Sequence, residues 1–406
     1  MTPGMTVAVS EEGTALLCFS HLRWDWVWQR PQHLLTHLAR LSARRIYFIE
    51  EPMPHDEDDA GPARPCWQFS EVAPGITRCV PRFAAAWPFF LESGGADTRT
   101  MRKLLAGLCR MYRITNPLVW MYTSLALPLL QELEARLLIY DCMDELALFA
   151  GAPPLLRDRE ESLLARADIV FAGGRSLYKT RAGHHGNCHL FPSSVERAHF
   201  EGALAATTPI PSDARPGTPT FGFYGVLDER LDRQLIDQVA ARRPDWSIVL
   251  VGPLAKIAPS DLPQRPNLYY LGQRPYADLP GYLKAWEVCL MPFAMNDATR
   301  FISPTKTLEY LAAEKPIVST PVRDVVADYG GLVRFGADAD TFIAACEAAL
   351  AETPPERQER IARGRAILER TSWAETAARM YGIIERALDV AASSITLPVG
   401  DNMLQG

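Results

Sequence analysis

Short apolar runs and helical stretches alternate along almost the whole chain, and that alternation restricts it to the α/β class. In the first half, strand-like runs fall at 15–20, 45–50, 76–80, 118–123, 137–142, 168–172 and 188–191, with helical patterns at 29–41, 100–112, 155–166 and 176–182. The runs are continuously apolar rather than alternating, as expected of a parallel sheet covered on both faces. Residues 207–219 (TTPIPSDARPGTP) hold four prolines and little apolar content, which reads as an extended linker. The alternation then restarts, with strands at 220–224, 247–251, 268–271, 288–292, 317–320 and 332–335, and helices at 231–241, 278–285, 304–314 and 339–350. A chain of 406 residues exceeds what one core usually serves. The expectation is two Rossmann-like doubly wound domains, 1–206 and 220–370, facing across a cleft where a ligand binds. Residues 371–406 form a C-terminal helix and tail expected to pack back toward the first domain. Amphipathic patterns fall at 355–369 and 373–390, and the tail after Ala391 reads as loosely ordered.

A net charge of −6 argues against a general nucleic-acid binder. Eight cysteines lie scattered without a CxxC pair, several inside apolar runs, which favours buried free thiols over disulfides or zinc. Residues 1–13 lack the charged-then-apolar order of a signal peptide, and no apolar run reaches the ~18–20 residues of a membrane span. The expected location is cytoplasmic. His184, His185 and His189 suggest no metal, since no third ligand type is spaced around them. Residues 81–90 (PRFAAAWPFF), followed by Arg102, Lys103, Arg110 and Arg113, read either as a packed loop or as a surface resting on a membrane that holds a lipid-linked substrate.

One helix start breaks a local rule. In residues 298–321 (ATRFISPTKTLEYLAAEKPIVSTP), Ser303 suits an N-cap and Pro304 the first helical position. A capping box would put Glu or Gln third; the chain puts Lys306 there, with Arg300 just upstream. Cations are disfavoured beside the positive end of a helix dipole, and a bound anion repairs the conflict. Lys306 and the amides of Ser303–Thr305 then form a phosphate cradle. Glu309 follows on the same helical face, where a carboxylate accepts hydrogen bonds from sugar hydroxyls. A lysine for a diphosphate and a glutamate for a ribose together suggest a nucleotide. The alternative is an exposed ion pair between Lys306 and Glu309.

Ligands of such folds bind at the carboxyl ends of parallel strands. Four loops there converge in the second domain: Gly225 after FGFY, Gly252 after SIVLV with Lys256 nearby, Gly272 with Gln273, Arg274 and Tyr276 after LYYL, and residues 293–303. Neither GxGxxG nor GxxxxGK[ST] occurs, so no dinucleotide fingerprint or P-loop is supported. In the first domain SHLRWDWVWQRPQH follows the first strand, with His21, Arg23, Asp25, Arg30 and Gln32 interleaved among Trp24, Trp26 and Trp28. The tryptophans read as core or as platforms for sugar rings. At another strand end YDCMDE places Asp141 and Asp144, either of which suits a general base or a substrate-positioning group, with Asp144 equally suited to an N-cap.

Together these blocks resemble the GT-B glycosyltransferases. More narrowly, the chain is similar to the bacterial group 1, family-four-like enzymes of cell-surface polysaccharide synthesis, including the teichuronic-acid type. The resemblance rests on SHLRWDWVWQRPQHLL, YDCMDELALFAGAP, FAGGRSLY, FPSSVE, FGFYGVLDERLD, LVGPLAKI, YLGQRPYADLP and residues 290–321, in order from about residue 17 to 321. It implies transfer of a sugar from a nucleotide diphosphate donor, UDP-linked by association, to a glycan or lipid-linked acceptor. It also implies retention of configuration and no catalytic metal or other cofactor. The donor would lie on the second domain and the acceptor on the first, with peripheral contact at the inner membrane surface in keeping. Glu309 matches the ribose-holding residue by position, the Gln273–Tyr276 loop would flank the base, and His21 with Asp141 or Asp144 would face the reacting sugar.

Two positions depart from the pattern. A second acidic residue expected eight positions before Glu309 is Phe301 here, so its contact to the donor sugar passes to Asn296 or Asp297 or is absent. An Arg and a Lys expected soon after the first strand of the second domain are replaced by Val226, the nearest cations being Arg230 and Arg233. That shifts the diphosphate clamp onto Lys306 and Arg300. Two other readings of the same features are a nucleotide-sugar epimerase and a non-catalytic glycan- or partner-binding module with a decayed donor site.

Overall fold

The computed structural model describes residues 15–55, 64–84, 96–214 and 217–395. The expected aromatic loop at 81–90 lies outside the described residues from Ala85 onward, as do residues 1–14 and the tail beyond Ile395. Two compact units are distinguished. One comprises Met1–Asp141, Asp158–Val170 and Ala374–Gly406; the other comprises Cys142–Arg157 and Phe171–Trp373.

The chain lays down β1 (Leu16–Phe19), α1 (Arg30–Ser42), β2 (Ile46–Ile49), β3 (Met53–Pro54), β4 (Cys66–Ala73), β5 (Ile76–Phe83), α2 (Ala96–Met111), β6 (Leu118–Met121), β7 (Leu137–Cys142), α3 (Leu155–Arg166) and β8 (Ile169–Ala172). Then come α4 (Arg175–Arg181), β9 (Cys188–Leu190) and α5 (Arg197–Glu201). The first sheet runs β3-β5-β2-β1-β6-β7-β8-β9, with β4 antiparallel to β5. Every residue of β1, β2, β6 and β7 is buried, as a parallel sheet covered on both faces requires. The β4–β5 hairpin was not expected. Exposed and half-buried residues mix along β4, which gives it no continuous apolar run to read.

The second sheet is entirely parallel, in the order β12-β11-β10-β13-β14-β15. Its elements are β10 (Thr220–Tyr224), α6 (Arg233–Arg242), β11 (Ser247–Val251), β12 (Leu268–Gly272), α7 (Leu279–Ala285), β13 (Val288–Met291), α8 (Lys306–Ala312), β14 (Ile317–Ser319), α9 (Arg323–Tyr329), β15 (Val333–Phe335), α10 (Ala339–Leu350) and α11 (Pro354–Leu368). Helix α12 (Trp373–Ile395) carries Glu385, which pairs with Arg44 at 2.8 Å, and Tyr381, whose ring lies under the Arg44 guanidinium.

Trp286, which is fully buried, lies flat against the middle of β10 at Gly222. A Cβ there would fall 1.8 Å from the indole, so glycine is the residue that lets the ring in. The indole N–H donates to Ala214 O at 3.1 Å, which ties the end of the proline-rich stretch to this core. Gly222→Ala is therefore expected to overpack an immobile site and cost about 1–3 kcal/mol, read as a lowered urea midpoint.

Candidate active site

Three adjacent strands of the second sheet, β10, β11 and β12, end at Gly225, Gly252 and Gly272, with φ of 148°, 149° and 68°. These values lie where glycine alone is at ease. The Gly225 amide donates to Val251 O at 2.8 Å and the Gly252 amide to Gly272 O at 2.9 Å. A Cβ on Gly252 would meet Gly225 O at 1.8 Å, and one on Gly225 would meet Lys306 Cε at 2.4 Å. The strand ends thus make a bare strip of backbone, and the lysine stem lies across it.

Helix α8 begins at Lys306, two residues later than the sequence suggests, with Thr305 as its N-cap. Ser303 O accepts from Ser193 Oγ at 3.0 Å, and the Ser303 side chain packs against Gly174. Held this way, Ser303 does not cap the helix. Lys306 is thus the first helical residue rather than the third, and Glu309 lies one turn on. The surface ion pair between them is not formed. Among the described residues Lys306 makes no hydrogen bond or ion pair, and its Nζ stands 5.9 Å from the ring centroids of Phe223 and Tyr224. Burial pushes its pKa below the ordinary lysine value, Glu309 acts against that and Arg230 adds to it. Glu309 is buried and its Oε2 accepts from Tyr224 Oη at 2.7 Å.

The loops after β10 and β13 are stitched together beside Lys306. Ala294 N donates to Arg230 O at 2.8 Å and Asn296 Nδ2 to Glu229 O at 3.1 Å. The Arg230 guanidinium is gripped by Asp228, at 2.7 Å at its shortest, and rests over Phe149, which also takes Lys256 at 4.5 Å. Asp144 belongs to the same unit and lies near enough to favour the charged form of Arg230. Asn296 Oδ1 caps the turn Asp297–Thr299 by accepting from the Thr299 amide, and the Asp297 side chain is exposed. Tyr276 stacks on His199 at 4.1 Å and 10°, and burial with the charges of Glu309 and Glu196 pushes its hydroxyl pKa upward.

Two expected members stand apart from this group. Arg274 is paired with Asp213 at 2.8 Å and with Tyr282 Oη at 2.9 Å, and Gln273 beside it is exposed. Arg300 is exposed, with its guanidinium over the neighbouring Phe301 ring. Neither makes contact with Lys306 through any hydrogen bond or ion pair among the described residues. Tyr224 and His199, which the sequence reading did not single out, are within the group. Tyr224 ends an aromatic run and reads as apolar; His199 carries no local signal.

In the first unit the loop after β1 is organised by Glu50, a buried carboxylate at the end of β2 that was also missed. It accepts from Trp24 N at 2.8 Å, Arg23 at 3.3 Å and Arg78 at 2.7 Å. Trp24 is 4% exposed, edge-on to Phe48 and Trp28, which leaves it no face for a sugar ring. Arg30 and Asp141 are brought together, but as partners of one another: Nε reaches both carboxylate oxygens, at 3.1 and 3.0 Å, and Nη2 reaches Oδ1 at 2.9 Å. Both are buried, Asp141 completely. Burial raises the Asp141 pKa while Arg30 and the Tyr122 hydroxyl oppose the rise. A carboxylate so enclosed has no free path to a substrate proton, and the geometry gives it a packing role. His21 is half-buried in the same loop. Among the described residues no group of three or more His, Cys, Asp or Glu side chains converges as a metal site.

A profile described as glycosyl transferases group 1 matches residues 218–352. The chain carries a group 1 glycosyltransferase domain. Its match contains the glycine strip, Arg230, Lys306 and Glu309. The chain is 29% identical over 267 residues to a Bacillus subtilis (strain 168) protein named for teichuronic acid biosynthesis as glycosyltransferase TuaH, covering 60% of this chain and 67% of that one. Among solved structures, sucrose-phosphate synthase from Thermosynechococcus elongatus superposes with a TM-score of 0.67 at 15% identity, over 93% of this chain and 100% of that one. An E. coli trehalose-6-phosphate structure bound with UDP-2-fluoro glucose gives 0.64 at 13%, over 92% and 99%. The fold is that of the GT-B glycosyltransferases, and the group 1 match is confined to residues 218–352 of the second unit.

Replacing Arg30 by Ala would strand the buried Asp141 charge. The expected cost is about 3–5 kcal/mol of unfolding free energy in denaturant titrations, with activity per folded molecule changed far less than stability.

Proposed function

We propose that this glycosyltransferase moves a sugar from a UDP-sugar to a glycan or lipid-linked acceptor in cell-surface polysaccharide synthesis, retaining configuration at the transferred carbon and using no metal. The observation that carries the reading is Lys306: a partly buried cation with no hydrogen bond or ion pair among the described residues, laid over bare backbone beside Arg230, one turn before a carboxylate. In this reading Lys306 meets the diphosphate, with Arg230 nearby and the amides of Ser303 and Thr305 beside it. Glu309 takes the ribose, and the loop of Gln273 and Tyr276 flanks the base. Gly225 and Gly252 let the ligand approach the backbone.

When the bond between sugar and diphosphate breaks, negative charge grows on the departing phosphate. A fixed lysine in a poorly hydrated site stabilises that charge without reorganising. Asp144, Asn296 and Asp297 stand on loops near this cation group and are the candidates for contact with the transferred sugar. His21, in the first unit, is kept as a candidate on the acceptor side. The choice of UDP is supported by the UDP-2-fluoro glucose named for the E. coli structure, and the polysaccharide setting by the name of the B. subtilis relative. A lipid-linked acceptor at the membrane face is supported by α2, where Lys103, Arg110 and neighbouring Arg113 are exposed with no ion-pair partner among the described residues. Anionic lipid attracts such side chains.

A thermal-shift panel of UDP, GDP, ADP and TDP tests the site and names the base. Ligand at 100 times its dissociation constant adds about 2.7 kcal/mol, and stabilisation by UDP but by no other diphosphate is the expected pattern. Lys306→Ala is expected to weaken binding by roughly 1.5–3 kcal/mol with the fold intact; unchanged affinity would refute the role given to Lys306.

The pH dependence has a definite sign. Only protonated Lys306 attracts the diphosphate, and burial holds its pKa below the ordinary lysine value. Affinity should therefore fall as pH rises through that lowered pKa, earlier than for an exposed lysine, and the fall should vanish in Lys306→Met when followed by calorimetry.

A further inference from the structure

We propose that Tyr224 is a positioning residue that fixes Glu309 to accept a ribose hydroxyl, so that the site selects ribonucleoside diphosphates over their deoxy counterparts. The inference rests on the donor reading above and goes on to define which nucleotides the site accepts.

Tyr224 ends β10 one residue before the glycine strip and is buried. Its ring is held on three sides: edge-on to Tyr310 at 5.3 Å and 90°, parallel to Phe200 at 6.3 Å and 4°, and tilted against Trp286 at 6.3 Å. Its amide also points at Tyr310 Oη, 3.4 Å away. A ring packed in this way has no alternative rotamer, so the place of its hydroxyl is set by the core. That hydroxyl donates to Glu309 Oε2 at 2.7 Å. Burial and the neighbouring carboxylate push the tyrosine pKa well above its ordinary value, so Oη keeps its proton and remains a donor.

The carboxylate is consequently asymmetric. Oε2 is occupied by Tyr224, whereas no hydrogen bond among the described residues reaches Oε1. A glutamate held by one oxygen offers the other as an acceptor with little rotamer freedom left to lose on binding. A buried acceptor built for a hydroxyl discriminates against a ligand that lacks it, because the acceptor is then left dry and unpaired. Lys306 lies three residues earlier on α8, and the neighbouring Glu309 works against the lowering of the lysine's pKa by burial.

The test uses the full chain and whichever of UDP, GDP and ADP binds, set against its 2′-deoxy and 3′-deoxy forms in calorimetric titrations. The wild-type protein should prefer the ribonucleotide over at least one deoxy form by roughly tenfold or more, the worth of a hydrogen bond to a charged group. Tyr224→Phe keeps the ring and removes only Oη. It should shrink that preference at least about fivefold and raise KM for the nucleotide sugar while leaving kcat at saturating donor unchanged. Glu309→Gln should lose the same preference, which guards against a Tyr224 variant that fails to fold. A merely structural Tyr224 predicts the opposite split, a lower Tm with the ribo-to-deoxy ratio preserved, and that result overturns the proposal. Equal binding of ribo and deoxy forms by the wild-type protein also overturns it while leaving the diphosphate site standing. Binding of none of these nucleotides would instead bring down the donor reading itself.

Discussion

The second unit is arranged around an atom that is missing, the Cβ of residue 225. Because Gly225 has none, the stem of Lys306 crosses the end of β10 at a distance no side chain would allow. Because Gly252 has none, the ends of β10 and β11 close on one another by backbone alone. The lysine stem therefore lies at the carboxyl edge of the sheet, and Arg230, Asp228, Tyr224 and Glu309 are grouped about it. Parallel topology makes this possible, since it turns all the strand ends the same way.

The first unit solves a different problem, that of keeping charge inside a closed core. Glu50 collects Trp24, Arg23 and Arg78, and Asp141 is matched to Arg30 with two-pronged geometry. Each charge is met by several donors, as burial demands. The loop after β1 is thereby made rigid, which accounts for its density of tryptophan and arginine without assigning those residues to a ligand.

The strands were legible because a sheet covered on both faces needs unbroken apolar runs. The β4–β5 hairpin was not, because residues that mix exposed and half-buried positions leave no run to read. Lys306 and Glu309 stood out through a local conflict, a cation where a helix start wants an anion. The start itself was misplaced by two residues because Ser303 is restrained by Ser193, 110 residues away. Tyr224 lies 85 residues from Glu309 and Arg30 lies 111 from Asp141, and no local pattern links partners at such separations. A tyrosine hydroxyl at the tip of an aromatic run looks apolar until the fold shows what it touches. Local rules find residues that are wrong for folding, whereas the groups that hold them in place become visible only in three dimensions.

The setting of Lys306 has a consequence for the balance of charge in the empty protein. Burial and the like charge of Arg230 oppose the charged form of Lys306, Glu309 and Asp228 favour it, and among the described residues its ammonium donates no hydrogen bond. An apolar side chain of the same length would suit the empty protein better, and most natural chains hold only a thin margin of stability. Lysine at 306 thus carries a charge that closing the core does not itself require.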